Sequence, residues 1–397
     1  EDVISTINSL KKLGVTIKKV KPKSYKIYGK GFGSFFAKKN STLNFGNSGT
    51  LARLLIGILS TTPDINLKLK GDSSLNKRSM KKLIEVMSEF GAEFLPKKKF
   101  NFPLNMISTD MPVGIKFESG QSAQIKSAVI LAGLNSYGTT EIIEKFKSRN
   151  HTENILINNN KTIIIKKKNG INNINIFGKK YLNPINIEIP GDPSSAAFFT
   201  ALTLLNKNSK LVIKKVGLNP TRIGFYELLK KHGAKINFKN LKKNNFEIVG
   251  DIHIRSSNIR PITASREYYV KATDEYPILF VIAALTQGRS IFKGIQDLAN
   301  KESSRAQEMK KILNQLGIKC KLKKDEIVIH GKNDLEIKDK IIKVPDLGDH
   351  RICMSTVVLS LITGIKANIK NFETVFTSSP NFLKIIKSLG AVYEKKY

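Results

Sequence analysis

Five short polar segments, each leading into an apolar stretch, hold much of the chemistry-bearing material in this 397-residue chain. They are Gly46-Asn47-Ser48-Gly49-Thr50, Ser122-Ala123-Gln124, Gly191-Asp192-Pro193-Ser194-Ser195, Asp274-Glu275-Tyr276-Pro277 and Gly348-Asp349-His350-Arg351. The first runs on as a helical pattern through Leu51, Ala52, Arg53 and Leu54. A helix start offers free N–H groups and the positive end of a dipole, which suit phosphate or carboxylate. Glycine lets an anion approach the main chain, although such a loop also serves as a plain turn. Arg78 (after Lys77), Arg305 (in Lys301-Glu302-Ser303-Ser304-Arg305) and Arg351 stand at further helix openings. Singly, each reads as a solvated surface charge. Together they predict several planar, bidentate donors converging on one polyanion. Asp274 and Glu302 are the acid–base candidates. Asp274 reads equally well as a helix N-cap, and Glu302 as an exposed partner of Lys301.

Other chemistries lack their signatures. The five histidines, His151, His232, His253, His330 and His350, show no paired ligand spacing, which predicts no metal site. No nucleophile elbow or Walker loop is present. Cys320 and Cys353 cannot build a disulfide framework, and a reducing compartment follows. No run of 18 apolar residues exists. The net charge of +35 invites a nucleic-acid reading, but the lysines are spread evenly and accompany abundant Asn and Ile. Attraction of a small polyanionic substrate fits that charge better.

The elements that must position these residues recur. A helical pattern closed by glycine and followed by a strand appears at Gly14, Gly91, Gly233, Gly317 and Gly390. The gaps are 77, 142, 84 and 73 residues, so a unit of about 75 residues repeats roughly six times, one copy having decayed near 148–165. Each unit holds one helix that is apolar all round, such as Ala196 to Leu205, and is therefore buried. A second is amphipathic, as Met309, Ile312, Leu313 and Leu316 show. Thr162 to Ile165 with Asn169-Gly170 predicts a strand and hairpin, and the Gly29, Gly31, Gly33 run reads as another hairpin. The expected fold is α/β (α+β) in two domains, 1–188 and 189–397, parted at the proline-punctuated stretch before Gly191. The copy ending at Gly14 lacks its first half, so the chain is expected to begin mid-unit.

Together these segments resemble the EPSP synthases, the 3-phosphoshikimate 1-carboxyvinyltransferases. The resemblance rests on Gly46 to Thr50 with Arg53, Gly71-Asp72-Ser73-Ser74-Leu75 through Arg78, and Ser122 to Gln124 with Lys126-Ser127-Ala128. It continues through Ser148-Arg149-Asn150-His151-Thr152-Glu153, Gly191 to Ala197, Asn219-Pro220-Thr221-Arg222, Asp274 to Pro277, Lys301 to Arg305 and Asp349 to Arg351. It implies two domains of βαβαββ units with buried parallel helices, the inverse αβ barrel type, and a substrate cleft between them. It implies that the 5-hydroxyl of shikimate 3-phosphate adds to C2 of phosphoenolpyruvate (PEP) and phosphate leaves. Arg78, Arg305 and Arg351 match the family's PEP-binding arginines, and Gly49 its main-chain PEP contact. Ser122, Ala123, Gln124, Ser148 and Lys301 match positions around shikimate 3-phosphate, with Gln124 also near PEP. Asp274 matches the base for the 5-hydroxyl and the other substrate-facing carboxylate, Glu302, the group moving the proton at C3 of PEP.

The expectation is thus a cytoplasmic monomer that acts on two small-molecule substrates without cofactor, metal, nucleic acid or membrane. Family members begin with a Lys-Ser pair and a nearby Arg, whereas Glu1-Asp2-Val3 aligns just after that segment. About 40–50 further residues would complete the half-unit, and the chain as it stands is expected to be impaired. Ser304 and Asn150 stand where Asp is usual. The alternatives are UDP-N-acetylglucosamine 1-carboxyvinyltransferase, which should carry a loop cysteine in its first domain, and a basic RNA-end-processing or RNA-binding protein on a related fold.

Overall fold

A computed structural model describes residues 2–244, 246–333, 335 and 341–394. The chain divides into two compact units, Glu1–Asn186 and Ile187–Tyr397, each with its own hydrophobic core.

The first unit opens with helix α1 (Asp2–Lys12) and the hairpin β1 (Thr16–Lys21) and β2 (Ser24–Tyr28). Two full repeats follow. One is β3 (Ser41–Asn44), α2 (Gly49–Ser60), β4 (Asn66–Lys70), α3 (Lys81–Glu89), β5 (Glu93–Leu95) and β6 (Leu104–Ile107). The next is β7 (Lys116–Ser119), α4 (Ala123–Asn135), β8 (Thr139–Glu144), α5 (His151–Leu156), β9 (Ile163–Lys168) and β10 (Ile171–Phe177). Their sheets share one order, β3-β4-β6-β5 and β7-β8-β10-β9, a parallel pair extended by an antiparallel hairpin.

The second unit repeats the pattern. It carries α6 (Pro193–Leu205), β11 (Lys210–Gly217), α7 (Gly224–Lys231), β12 (Lys235–Asn244) and β13 (Glu247–Arg255). Gly191 bridges Val216 in parallel where the first strand of this repeat would lie. Next come β14 (Thr263–Ala264), α8 (Arg266–Ala272), α9 (Tyr276–Ala284), β15 (Gly288–Lys293), α10 (Arg305–Gln315), β16 (Lys319–Leu322) and β17 (Glu326–Gly331). Their sheet order, β14-β15-β17-β16, is the same again. The last part holds β18 (Ile341–Val344), α11 (His350–Thr363), β19 (Lys366–Ile369), α12 (Thr374–Ser378) and α13 (Phe382–Ser388).

The two helix types of each repeat fold as their patterns require. Every residue from Tyr276 to Ala284 in α9 is buried, whereas α10 buries Met309, Ile312 and Leu313 and leaves its other face to solvent. Gly14, Gly91, Gly233, Gly317 and Gly390 all have positive φ, between 76° and 103°, the left-handed conformation that ends a helix cheaply only at glycine. The repeat thought lost near 148–165 is present. Its helix, α5, runs only six residues, and the chain turns through Asn160 and Lys161 at φ 53° and 50°, so no glycine signals its end. The Asn169-Gly170 hairpin forms as expected. The Gly29–Gly33 run does not make one: Pro22 and Lys23 already turn β1 into β2, and the glycines lie in the connection to β3.

Helices α2 and α4 touch at backbone level. A Cβ added at Gly57 would lie 2.6 Å from the carbonyl oxygen of Ala128, so only glycine permits this approach. Gly57→Ala should therefore destabilise the chain by about 1–3 kcal/mol. Gly120→Ala, where a Cβ meets nothing within 4 Å, is the control. Equal urea midpoints for the two variants would refute the contact.

Candidate active site

In the first unit the N-terminus of α2 is built to hold negative charge. Ser48 caps it, its Oγ accepting from Leu51 N at 3.2 Å. The Arg53 guanidinium folds back one turn, Nη1 donating to the Gly49 carbonyl at 3.0 Å and to Gln124 Oε1 at 3.0 Å. Arg78 reaches the same place from its loop, Nη2 donating to Asn47 Oδ1 at 3.3 Å. A Cβ on Gly49 would lie 2.7 Å from Arg53 Nη1 and 3.2 Å from Arg78 Nη1. The bare glycine thus makes room for two guanidinium groups over a helix start, where dipole and charge both favour an anion. Gln124 Nε2 donates to Thr50 Oγ1 at 2.8 Å, which joins the starts of α2 and α4. Ser122 caps α4, accepting from Ile125 N, and Ala123 is its first residue. Hence Gly49, Arg78, Ala123 and Gln124 come together around two helix starts. Ser148 lies beyond β8, buried, with both its N–H and its hydroxyl donating to Glu144 Oε1 at 3.0 Å.

In the second unit the helices α6, α9 and α11 begin at one end, because side chains from their first turns touch. Asp192 caps α6 and Asp349 caps α11. The residue before α9 is Glu275, which receives the Ser194 hydroxyl from the start of α6. The N-cap reading of Asp274 therefore fails. Its carboxylate instead lies 3.6 Å from Arg222, 3.6 Å from Arg305 and 3.7 Å from Arg351. Glu302 does not pair with Lys301 as its exposed neighbour; it binds Arg305 Nη2, while Lys301 reaches Asp297 Oδ2 at 2.6 Å.

Arg305 is the enclosed arginine of the set, 1% exposed. Asp349 Oδ2 accepts from its Nε at 2.9 Å and from Ser303 Oγ at 2.9 Å. Asp349 and Glu302 thus hold Arg305 between them. Burial works against the guanidinium charge, but Asp349, Glu302 and Asp274 outweigh it and raise its pKa further. Burial likewise opposes the Asp349 carboxylate, and Arg305 overrides it, holding Asp349 at about 2. His350 is pushed down to about 4 by burial and by the Arg351 charge, so its ring is neutral at neutral pH.

Two groups went unassigned in the sequence. Arg222 binds Asp192 Oδ1 at 2.6 Å and Ser194 Oγ at 2.9 Å and faces Asp274, so it belongs to this network. Lys126 is wholly buried in α4 between Glu144 and Glu153. The available signal was a lone charge, a lysine inside the helix Ala123–Asn135 whose other side chains are all uncharged.

With this geometry in hand, the likeness to known proteins is specific. A family model described as EPSP synthase (3-phosphoshikimate 1-carboxyvinyltransferase) matches residues 1–386. The 3-phosphoshikimate 1-carboxyvinyltransferase of Zymomonas mobilis is 35% identical over 397 residues, covering 99% of this chain and 87% of that protein. The enzyme of that name from Sulfurihydrogenibium sp. is 36% identical, with 98% and 89% covered. The solved EPSP synthase from Acinetobacter baumannii superposes with a TM-score of 0.80 at 31% identity, over 99% of this chain and 89% of that one. The enolpyruvyl transferase NikO from Streptomyces tendae, at 14% identity and a TM-score of 0.72, shares the fold. The chain belongs to the EPSP synthase (3-phosphoshikimate 1-carboxyvinyltransferase) family.

Proposed function

We infer that this chain transfers the enolpyruvyl group of PEP to the 5-hydroxyl of shikimate 3-phosphate, with Asp274 and Glu302 as its proton-transfer pair. The activity follows from family membership. One observation carries the residue assignment: the two carboxylates share a single guanidinium, Arg305 contacting Asp274 through Nη1 and Glu302 through Nη2. The chemistry needs such a pair. C2 of PEP becomes electrophilic only as C3 gains a proton, while a base must take the proton of the attacking hydroxyl. In this reading Glu302 serves C3 and Asp274 the 5-hydroxyl.

Both substrates are anions and repel each other, so cations must hold them. The N-terminus of α2 with Gly49 and Arg78 supplies one such set, and Arg305 with Arg351 another. We assign Ser122, Ala123, Gln124, Ser148 and Lys301 to shikimate 3-phosphate. Fixed donors of this kind lower the barrier by orientation and by stabilising developing charge. The loop-cysteine rival gains no support, since Cys320 and Cys353 both lie in the second unit, as buried or half-buried free thiols. Among the described residues no helix is long and apolar enough to cross a membrane. We also propose a cytoplasmic monomer, to be checked by gel filtration with light scattering.

Three outcomes test the assignment, each read by phosphate release in steady state. Asp274→Asn should lower kcat by about 10²–10⁴-fold, the usual worth of a general base, without raising KM for PEP. Unchanged turnover would remove Asp274 from the mechanism. Arg351→Ala should raise KM for PEP roughly ten-fold or more, as the loss of a charged hydrogen-bond donor predicts, and an unaltered PEP dependence would refute its role. In Gly49→Ala the new methyl displaces the Arg53 and Arg78 guanidinium groups, so KM for PEP should rise by roughly several-fold while the unfolding midpoint holds. Loss of stability with PEP affinity intact would make Gly49 a folding residue only.

A further inference from the structure

Lys126 poses a question the reaction does not answer. Its ammonium is completely buried, 2.6 Å from Glu144 Oε1 and 2.5 Å from Glu153 Oε1. Buried ion pairs seldom stabilise a fold more than apolar residues of similar volume would, so stability alone is a weak reason for this one. The three groups come from α4, the end of β8 and α5, the elements that flank Ser122 to Gln124 on one side and Ser148 on the other.

Glu144 does more than answer Lys126. Its Oε1 accepts both the N–H and the hydroxyl of Ser148 at 3.0 Å, and its Oε2 accepts from Asn172 Nδ2 at 2.8 Å. The segment that presents Ser148 is therefore suspended from one carboxylate. We propose that Glu144 is a positioning residue for the phosphate of shikimate 3-phosphate, acting through Ser148, with Lys126 neutralising the carboxylate from beneath. The proposal rests on the assignment of Ser148 to that substrate. Glu144 accepts the Ser148 hydroxyl proton; when phosphate arrives, the hydroxyl turns to it while the N–H stays anchored.

A carboxylate so near a phosphate would repel it, and the ammonium of Lys126 sets an opposite charge against it. Lys126 hydrogen-bonds Glu144 and forms a close ion pair with Glu153. Burial raises the Glu153 pKa and dominates over Lys126. For Glu144 burial also pushes upward, but Lys126, Ser148 and Asn172 override it and lower the pKa.

The test is steady-state kinetics on the full chain with shikimate 3-phosphate and PEP. In a Glu153→Gln background, so that no carboxyl is left buried and unpaired, Lys126→Met with Glu144→Met removes the buried charges and the acceptor for Ser148. It should raise KM for shikimate 3-phosphate roughly ten-fold, leave KM for PEP unchanged and keep kcat within about three-fold. In the same background, Lys126→Met with Glu144→Gln keeps an acceptor for Ser148 and should restore most of that affinity. Adding Ser148→Ala to the first pair should cost nothing beyond Ser148→Ala alone. Additive effects, or equal KM values with only the unfolding midpoint lowered, would overturn the proposal and leave a structural role. If Ser148→Ala itself leaves KM for shikimate 3-phosphate unchanged, both the proposal and the Ser148 assignment fall. If it raises KM while the methionine pair does not, the positioning role alone falls.

Discussion

The second unit depends on how it keeps one guanidinium charged in the absence of water. Burying Arg305 unpaired would be prohibitive, and the chain meets that cost with Asp349, Glu302 and Asp274. Each partner has another duty. Asp349 caps α11, Glu302 precedes α10 and Asp274 precedes α9, so a single side chain draws three helix starts together. The geometry offered for proton transfer is thus a by-product of charge compensation. Carboxylates that must face Arg305 cannot drift apart.

Much of this was legible in the sequence because it is local. Glycine at a helix end announces a left-handed residue, and the five announced glycines adopt one. Helices without a polar stripe proved buried, and Ser48, Ser122, Asp192 and Asp349 cap them as polar openings should. What could not be read was pairing between residues far apart along the chain. Asp274 looks like an N-cap because aspartate before an apolar helix usually is one; Arg222, Arg305 and Arg351 are invisible to that local rule. The same blindness hid α5, whose turn uses Asn160 and Lys161, and misplaced the hairpin, where Pro22 and Lys23 were less conspicuous than three glycines.

Net charge was the least informative feature. At +35 the chain is strongly basic, yet the network around Asp274 sets Asp192, Asp274, Glu275, Glu302 and Asp349 against Arg222, Arg305 and Arg351. The excess of lysine lies mainly on exposed positions, where it creates a diffuse field attractive to anions. Selectivity must come from the few guanidinium groups whose directions are fixed.

The meeting of Gly57 with Ala128 has a mechanical implication. Helices separated by side chains can slide as rotamers change, but main chain resting on main chain has no such cushion. Any displacement of α2 is handed directly to α4, so the cradle at Gly49 and the amide of Gln124 travel as one rigid piece. Ligand-driven movement in this unit would therefore be confined to loops such as the one bearing Arg78, with the paired helices serving as the anvil.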